Sequence, residues 1–252
     1  MRRFPELKAA MHTTTEISFH GWSAFKEMLS NQIDFDPLPA LEAKVASGSE
    51  LADIHFTNTT PESADAFQFT QKSVVQSALN ISGLKIFDET KRVCFAGRLH
   101  TKENQSLILS CIANYSLIIV PYTFFQPYLV AKRLIAEYAN VLVATPRELR
   151  ELVKESILDE VQPLESLVIL NSPSDFADSD LVNQAKTRFK AQRVVSLFNL
   201  DSGASLAPFL VSEVSSTKKV AGSPVPNTEV KVVDSSNSPI AVGSSGKLLI
   251  KG

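Results

Sequence analysis

The chain has 252 residues, of which 44% are hydrophobic and 21% charged, so it is long enough to bury one large core or two smaller ones. Its formal net charge is -2 and its lysines and arginines form no long run, which argues against a nucleic-acid-binding protein with a basic face. The longest apolar stretch, residues 107–120, is interrupted by Asn114 and Ser116, so no membrane span is predicted.

The N-terminus and the cysteines indicate an intracellular protein. Residues 1–5 are basic but lack the apolar core of a secretory signal. Cys94 and Cys111 each lie among apolar neighbours and are expected to be buried free thiols. The four histidines do not cluster, so no metal site is predicted. We expect a cytoplasmic location, with the peroxisome and other intracellular compartments left open.

Along the chain, residues 1–50 are expected to form an N-terminal segment with a short helix at 22–29 and a proline-marked linker at 36–39. From Leu51, short β-branched runs alternate with longer amphipathic segments, a pattern typical of α/β proteins with a mostly parallel sheet covered by helices. Strands are predicted at 52–57, 92–96, 117–121, 141–144, 167–170 and 194–198, and helices at 70–81, 126–138, 147–157 and 179–190.

The last fifty residues have a different character. Residues 229–233 and 247–250 are predicted to be antiparallel strands separated by a turn-rich stretch. We therefore expect three parts: the N-terminal segment and linker (1–50), an α/β core (51–200) and a smaller, truncated β-rich subdomain (201–252).

The C-terminal sequence carries the most specific resemblance. Residues 220–234, VAGSPVPNTEVKVVD, followed by Gly243, Gly246 and residues 248–252, resemble a passage of the adenylate-forming (AMP-binding) superfamily, which includes acyl-CoA synthetases, coumarate-CoA ligases, luciferases and peptide-synthetase adenylation domains. Further passages of that family are similar to residues 49–60, 124–154 and 164–195. The resemblance implies an incomplete large N-terminal domain of acyl-CoA-synthetase type over residues 50–252.

The phosphate-binding loop of that family is the first passage in which this sequence departs from the pattern. In the family a Ser/Thr/Gly-rich loop ending in Pro-Lys-Gly surrounds the ATP phosphates with backbone N–H groups and a lysine. The matching residues 56–66 read FTNTTPESADA, which contains no glycine and no lysine. Thr57, Thr59 and Thr60 are retained, whereas Glu62 and Asp65 add negative charge. Like charges about 4 Å apart repel by about 4 kcal/mol at an effective dielectric constant of about 20.

The second departure is in the family's Tyr-Gly-x-Thr-Glu motif, whose threonine contacts the adenylate and whose glutamate holds magnesium. The matching residues 198–202 read FNLDS, so Phe198 keeps the aromatic ring, Asp201 stands at the threonine position and Ser202 at the glutamate position. One carboxylate makes a poor Mg²⁺ site, and no dedicated metal site is predicted. The family's Ser-Gly-Gly-Ala turn is replaced by residues 171–174, NSPS, in which Pro173 has no N–H to donate.

Three functional hypotheses follow from the resemblance, and whether the chain is an enzyme is left open. The first is a catalytically inactive pseudoenzyme or divergent fragment, kept for interaction or for weak binding of a ligand such as a carboxylic acid, without turnover. The second is an acid–thiol ligase that uses ATP and Mg²⁺ to form an acyl-adenylate and then an acyl-CoA from CoA. The third is a structural subunit that associates with a protein partner or with itself. The resemblance assigns no catalytic residue; the residues it implies for nucleotide binding are Thr57, Thr59, Thr60, Phe198 and Asp201.

Overall fold

The fold is described from a computed structural model of the chain. The described residues are 11–12, 23–30, 47–57, 65–122, 124–172, 174–198, 210–213 and 222–251. No helix among them is long and apolar enough to cross a membrane.

The chain divides into two units, residues 1–47 and 48–252. In the first unit, β1 (Met11–His12) pairs in parallel with β2 (Ser23–Ala24), and α1 (Phe25–Ser30) follows directly. This confirms the predicted short helix with slightly shifted bounds, whereas the predicted linker at 36–39 lies outside the described residues.

The second unit contains the remaining elements, and through its central part strands and helices alternate. In chain order they are β3 (Leu51–Thr57), β4 (Asp65–Thr70), α2 (Gln71–Ser82), β5 (Arg92–Phe95), α3 (Lys102–Ala113), β6 (Leu117–Ile119), α4 (Pro127–Ala136), β7 (Val141–Ala144), α5 (Pro146–Leu152), a 3-10 helix (Ser156–Glu160), β8 (Ser166–Asn171), α6 (Ser179–Arg188), β9 (Arg193–Phe198), β10 (Leu210–Glu213), β11 (Ser223–Pro224), β12 (Glu229–Val233) and β13 (Lys247–Lys251).

Among the described residues, the main sheet has seven strands in the order β11-β10-β9-β8-β7-β5-β6. The strands from β5 to β9 are parallel, while β10 and β11 add antiparallel pairs at one edge. Two separate antiparallel pairs, β3 with β4 and β12 with β13, complete the unit. The predicted α/β fold with a parallel sheet and small antiparallel strands at the C-terminus is confirmed, while the division into three parts stays a prediction.

Both faces of the parallel sheet are buried, because side chains that alternate along each strand enter two different cores. In β5, Cys94 faces the core formed with α4, α5 and α6, whereas Val93 and Phe95 face the core formed with α2 and α3. Cys94 and Cys111 are fully buried free thiols, as predicted. Burial raises the pKa of each thiol to about 12.

The structure departs from the predicted elements in several places, and the short strands β1, β2, β10 and β11 were not predicted. The predicted helix at 147–157 ends at Leu152 and is followed by a separate 3-10 helix. Strand β4 was not predicted, because residues 65–66 were assigned to the phosphate-loop segment. Helix α3 was not predicted either, since the polar residues Asn104, Ser106 and Ser110 are buried and interrupt its apolar period.

Candidate functional site

The strand order places a crevice at the carboxyl ends of the parallel strands. From β5 the chain continues through α3 to β6 on one side, and it then returns through α4 to β7 on the other side. Helices α3 and α4 lie on opposite faces of the sheet. In open α/β sheets such a switch point is the usual place for a ligand, because the connections there diverge and leave space above the strand ends.

A cavity of about 610 Å³ occupies this position. It is lined by residues that follow the four strands β5, β6, β7 and β8, among them Arg98, Phe124, Thr145 and Ser172. Its volume lies within the usual range for small-molecule sites, about 300–1,000 Å³. The cavity is therefore the candidate binding site of this unit.

Glu148 lies at the junction of β5 and β7. Thr145 caps α5, and the two residues form a reciprocal capping box: the Thr145 N–H donates to Glu148 Oε2 at 2.8 Å, and the Glu148 N–H donates to Thr145 Oγ1 at 3.3 Å. The other carboxylate oxygen, Oε1, lies against Gly97, where a Cβ atom would collide with it. Glycine at position 97 thus allows the carboxyl group to sit between the two strand ends.

This placement raises the pKa of the Glu148 carboxyl group. Burial raises the pKa of its carboxyl group above the usual value, and the hydrogen bond from the Thr145 N–H opposes that rise. The negative charge of Asp175 adds to the rise, whereas the guanidinium of Arg147 counteracts it. Glu148 is consequently a partly buried hydrogen-bonding group at the cavity wall.

Asn104 lines the same cavity from the first turns of α3. Its side chain is 5% exposed, and its Nδ2 donates to the carbonyl of Arg98 at 2.8 Å. The Oδ1 atom is buried and has no hydrogen-bond partner among the described residues. A buried acceptor without a donor is costly, by about 1–3 kcal/mol.

Side chains of the turn after β8 form hydrogen bonds with neighbouring parts of the protein. Asn171 is buried, donates from Nδ2 to Ser196 Oγ at 2.8 Å and accepts from the Ala177 N–H at 2.7 Å. Asp175 accepts from the Arg147 N–H at 2.9 Å and from the Arg150 guanidinium at 2.8 Å. These bonds fix the NSPS replacement against α5, and they occupy the Asp175 carboxylate within the protein.

The predicted nucleotide residues of the phosphate loop are only partly described. Thr57 ends β3, where its backbone pairs with Asp65 of β4. Thr59 and Thr60 lie outside the described residues. The hairpin that leads into and out of this loop is therefore present, while the nucleotide roles of the three threonines stay predictions.

The second predicted group ends β9. Phe198 pairs with Asn171 across the sheet, and its ring centroid lies 5.9 Å from that of Phe176. Phe198 is thus next to a residue that lines the cavity. Asp201 lies outside the described residues, and the nucleotide roles of Phe198 and Asp201 also stay predictions.

The sequence interpretation did not identify the polar residues that the cavity brings together, namely Asn104, Arg98 and Glu148. It also did not identify His55, whose Nε2 lies 2.8 Å from Asp53 Oδ2 and 2.7 Å from Gln105 Oε1, a contact that ties the β3–β4 hairpin to α3. Among the described residues, no group of three or more His, Cys, Asp or Glu is arranged to hold a metal ion.

No protein-family model and no curated protein sequence matches the chain. Similar solved structures include the N-terminal subdomain of Klebsiella oxytoca NpsA in complex with 3-hydroxyanthranilyl-AMSN (TM-score 0.72, 15% identity, 96% of this chain and 60% of that one). A benzoate CoA ligase from Burkholderia xenovorans LB400 matches with a TM-score of 0.74 and 14% identity over 93% of this chain and 46% of the ligase. A luciferase-like enzyme from the nonluminescent Zophobas morio mealworm matches with a TM-score of 0.74 and 12% identity over 93% of this chain and 55% of the enzyme.

The chain thus spans from 46% to 60% of the length of these three proteins. At 12% to 15% identity, the similarity concerns the three-dimensional fold. It extends over nearly the whole of this chain. The chain has the fold of the N-terminal domain of the adenylate-forming, AMP-binding superfamily.

Proposed function

We propose that the chain is a divergent adenylate-forming domain that binds a carboxylic acid in the cavity and does not activate it with ATP. The observation that carries this proposal is a paired β3–β4 hairpin around an altered phosphate-loop sequence. Strands β3 and β4 flank residues 58–64 and pair without interruption from Asp53 to Thr57, yet residues 56–66 contain neither glycine nor lysine.

The charges near the loop oppose a triphosphate. Asp65 stands in the β-ladder directly opposite Thr57, at the pair nearest the loop, and Glu62 lies within the loop sequence. A phosphate loop instead needs backbone N–H groups that approach closely and a cation that neutralises the phosphates. The residues present do not fit ATP with Mg²⁺, so no adenylation step is derived for this chain.

The cavity, in contrast, offers two arginines to an organic anion, beside three carboxylates, Glu103, Glu148 and Asp175, of which Asp175 is already paired with Arg150. Arg98 and Arg147 line it with exposed side chains, and neither forms an ion pair with another residue that the structure describes. Phe124, Phe125 and Leu170 add apolar surface to the same cavity. An arginine pair beside apolar walls is a suitable environment for the carboxylate and the body of an organic acid.

Benzoate is the first probe, because one of the similar structures is named as a benzoate CoA ligase. We expect isothermal titration calorimetry to detect benzoate binding, and Arg98→Met and Arg147→Met each to weaken it by roughly tenfold through loss of a charged hydrogen bond. Arg133→Met, whose guanidinium pairs with Glu137 on α4, is the matched control and is expected to bind normally.

The same samples test whether the protein activates the acid with ATP. We expect no pyrophosphate release when ATP, Mg²⁺, benzoate and CoA are supplied together. Pyrophosphate release that depends on the protein and on the acid would contradict the proposal. It would support the alternative of an acid–thiol ligase that uses ATP, Mg²⁺ and CoA, which the retained Thr57, Thr59 and Thr60 favour.

A third function, that of an interaction subunit, is favoured by the edge of the sheet at β6. Within the described part of the chain this strand has one neighbour, β5, and Leu117, Val120 and Tyr122 beside it are about half exposed. Uncovered apolar edge strands tend to pair with other chains. Light scattering after size-exclusion chromatography distinguishes this function, since it predicts an oligomer that Leu117→Lys dissociates, whereas a monomer at all concentrations argues against it.

A further inference from the structure

A groove lies between helix α4 and the segment that follows β6. Its volume is about 370 Å³, and it shares no lining residue with the cavity described above. Two of its lining residues follow β6 and four belong to α4: Pro121, Tyr122, Leu129, Lys132, Arg133 and Ala136. The four helical residues are spaced i, i+3, i+4 and i+7, so they form one face of α4. The core side of the helix is formed by other residues, Val130, Ala131 and Leu134.

Strand β6 leaves one side of its backbone open beside this groove. Within the described part of the chain it pairs with β5 alone, and its Leu117 N–H donates to the Lys91 carbonyl at 2.9 Å. Backbone groups alternate in direction along a strand, so the N–H and C=O of Ile118 face away from β5. An extended segment can pair with these groups as an additional strand.

Apolar side chains surround the open side of β6. Leu117 and Tyr122 are about half exposed. Leu117 shares a sheet face with Ile119, which packs in the core formed with α4. An additional strand would place every second side chain on that same face, towards the groove. The groove walls formed by Pro121, Tyr122 and Leu129 suit one apolar side chain of such a strand.

The groove is positively charged. Lys132 and Arg133 line it, and none of its lining residues is acidic. Lys132 forms no ion pair with another residue that the structure describes, while Arg133 pairs with Glu137 at 3.2 Å. Glu137 is in turn shared with Arg92, at 3.5 Å, so positive charge remains in excess. A second copy of the chain, paired through β6, would bring the same cations opposite each other, whereas an acidic segment complements them.

The spacing of the groove residues matches the repeat of a strand. Leu129 and Arg133 are four residues apart on α4, which corresponds to about 6 Å along the helix axis. Side chains two residues apart on a strand are separated by about 6.6 Å. One apolar and one acidic side chain, two residues apart in an added strand, can therefore reach the apolar and the cationic parts of the groove together.

We propose that β6 and the groove beside it bind an extended segment of another protein in which an apolar and an acidic side chain are two residues apart. The segment pairs with the β6 backbone, its apolar side chain lies against Tyr122, and its carboxylate binds Lys132 and Arg133. Backbone pairing supplies affinity, and the groove determines which sequences bind. This surface is separate from the carboxylic-acid cavity, and the inference does not depend on the proposed function.

Fluorescence anisotropy of labelled peptides with the full chain tests the charge preference. The probes are Thr-Leu-Thr-Glu-Thr-Thr-Thr and Thr-Thr-Thr-Glu-Thr-Leu-Thr, which present the pair in the two chain directions, and their counterparts with lysine in place of glutamate. We expect one glutamate peptide to bind saturably and roughly tenfold more tightly than its lysine counterpart. No saturable binding of either glutamate peptide, or equal binding of the lysine peptide, would overturn the inference.

A charge reversal shows whether the groove causes this preference. Lys132→Glu should bind the lysine peptide more tightly than the glutamate peptide, a change that mere loss of folding would not produce. Lys186→Glu, at an exposed position of α6, is the matched control and should keep the native preference. If the two variants have the same preference as the native chain, the groove is not the binding site and the inference fails.

N-methylated peptides test the addition of a strand. Alternate N–H groups of a strand face opposite sides, so methylation of either the odd or the even residues removes the donors on one side. We expect one of these two sets to abolish binding and the other to retain it. Equal binding of the two sets would contradict strand addition. A dimer of the native chain that Leu117→Lys dissociates would likewise overturn the inference, because a second copy would then cover β6.

Discussion

Burial and a hydrogen bond have opposite effects on the pKa of the Glu148 carboxyl group. The Thr145 N–H favours the carboxylate, but burial outweighs it and raises the pKa above the usual 4.5. The folded protein therefore binds this proton more tightly than the unfolded chain does. Its effect on stability is favourable below the unfolded pKa and is lost as the pH rises through the folded pKa.

The first prediction concerns this pH dependence. Relative to the native protein, Glu148→Gln should gain unfolding free energy as the pH rises from about 4 to about 7, because glutamine has no charge to bury. Urea denaturation at several pH values measures the difference in unfolding free energy. Carboxyl groups with a lowered pKa, such as Asp53 and Asp88, are present in both proteins, so their contributions cancel in this difference. The exposed Glu151→Gln is the control. Parallel pH profiles for the native and Glu148→Gln proteins would be the contrary result.

The second prediction concerns Gly97. An alanine Cβ there would collide with the Glu148 carboxyl group, so Gly97→Ala should lower the unfolding free energy by about 1–3 kcal/mol. Gly48→Ala, whose Cβ would lie 3.4 Å from the Lys72 Cβ, should change it by no more than about 0.5 kcal/mol. Combining Gly97→Ala with Glu148→Ala should cost less than the sum of the two changes, and strict additivity would refute the described contact.

At the scale of the secondary-structure elements, the cap of α5 sets the position of one cavity wall. Thr145→Ala removes the side-chain acceptor for the Glu148 N–H and should cost about 1 kcal/mol in chemical denaturation. Thr187→Ala, at an exposed position within α6, is expected to have an effect within about 0.5 kcal/mol. Similar losses in the two variants would show that Thr145 does not act as a cap.

Most elements were predictable because their sequence signals are local. Strands β7 and β9 are short β-branched runs, and α5 begins at the Thr145–Pro146 signal. Helix α3 gave no such signal, since its inward side includes Ser110, whose hydroxyl lies 2.9 Å from that of Ser82. A serine that is satisfied by another helix cannot be told from a surface serine in the sequence.

At the scale of the whole molecule, the fold followed from the resemblance, whereas the cavity did not. Arg98 follows β5, Asn104 lies in α3 and Glu148 lies in α5, and only the strand order brings α3 and α5 to the same cavity. The unpaired oxygen of Asn104 results from packing and has no counterpart in a sequence pattern. The sequence instead indicated the altered phosphate loop, because charge and glycine content can be counted along the chain.

A thermal-shift titration of the purified chain with ATP and Mg²⁺ tests most directly the central claim that nucleotide activation has been lost. A ligand at a hundred times its dissociation constant stabilises a protein by about 2.7 kcal/mol, which such a titration readily detects. We predict no shift at millimolar ATP in a protein that unfolds cooperatively. A saturable rise in the unfolding temperature that requires Mg²⁺ would contradict the claim.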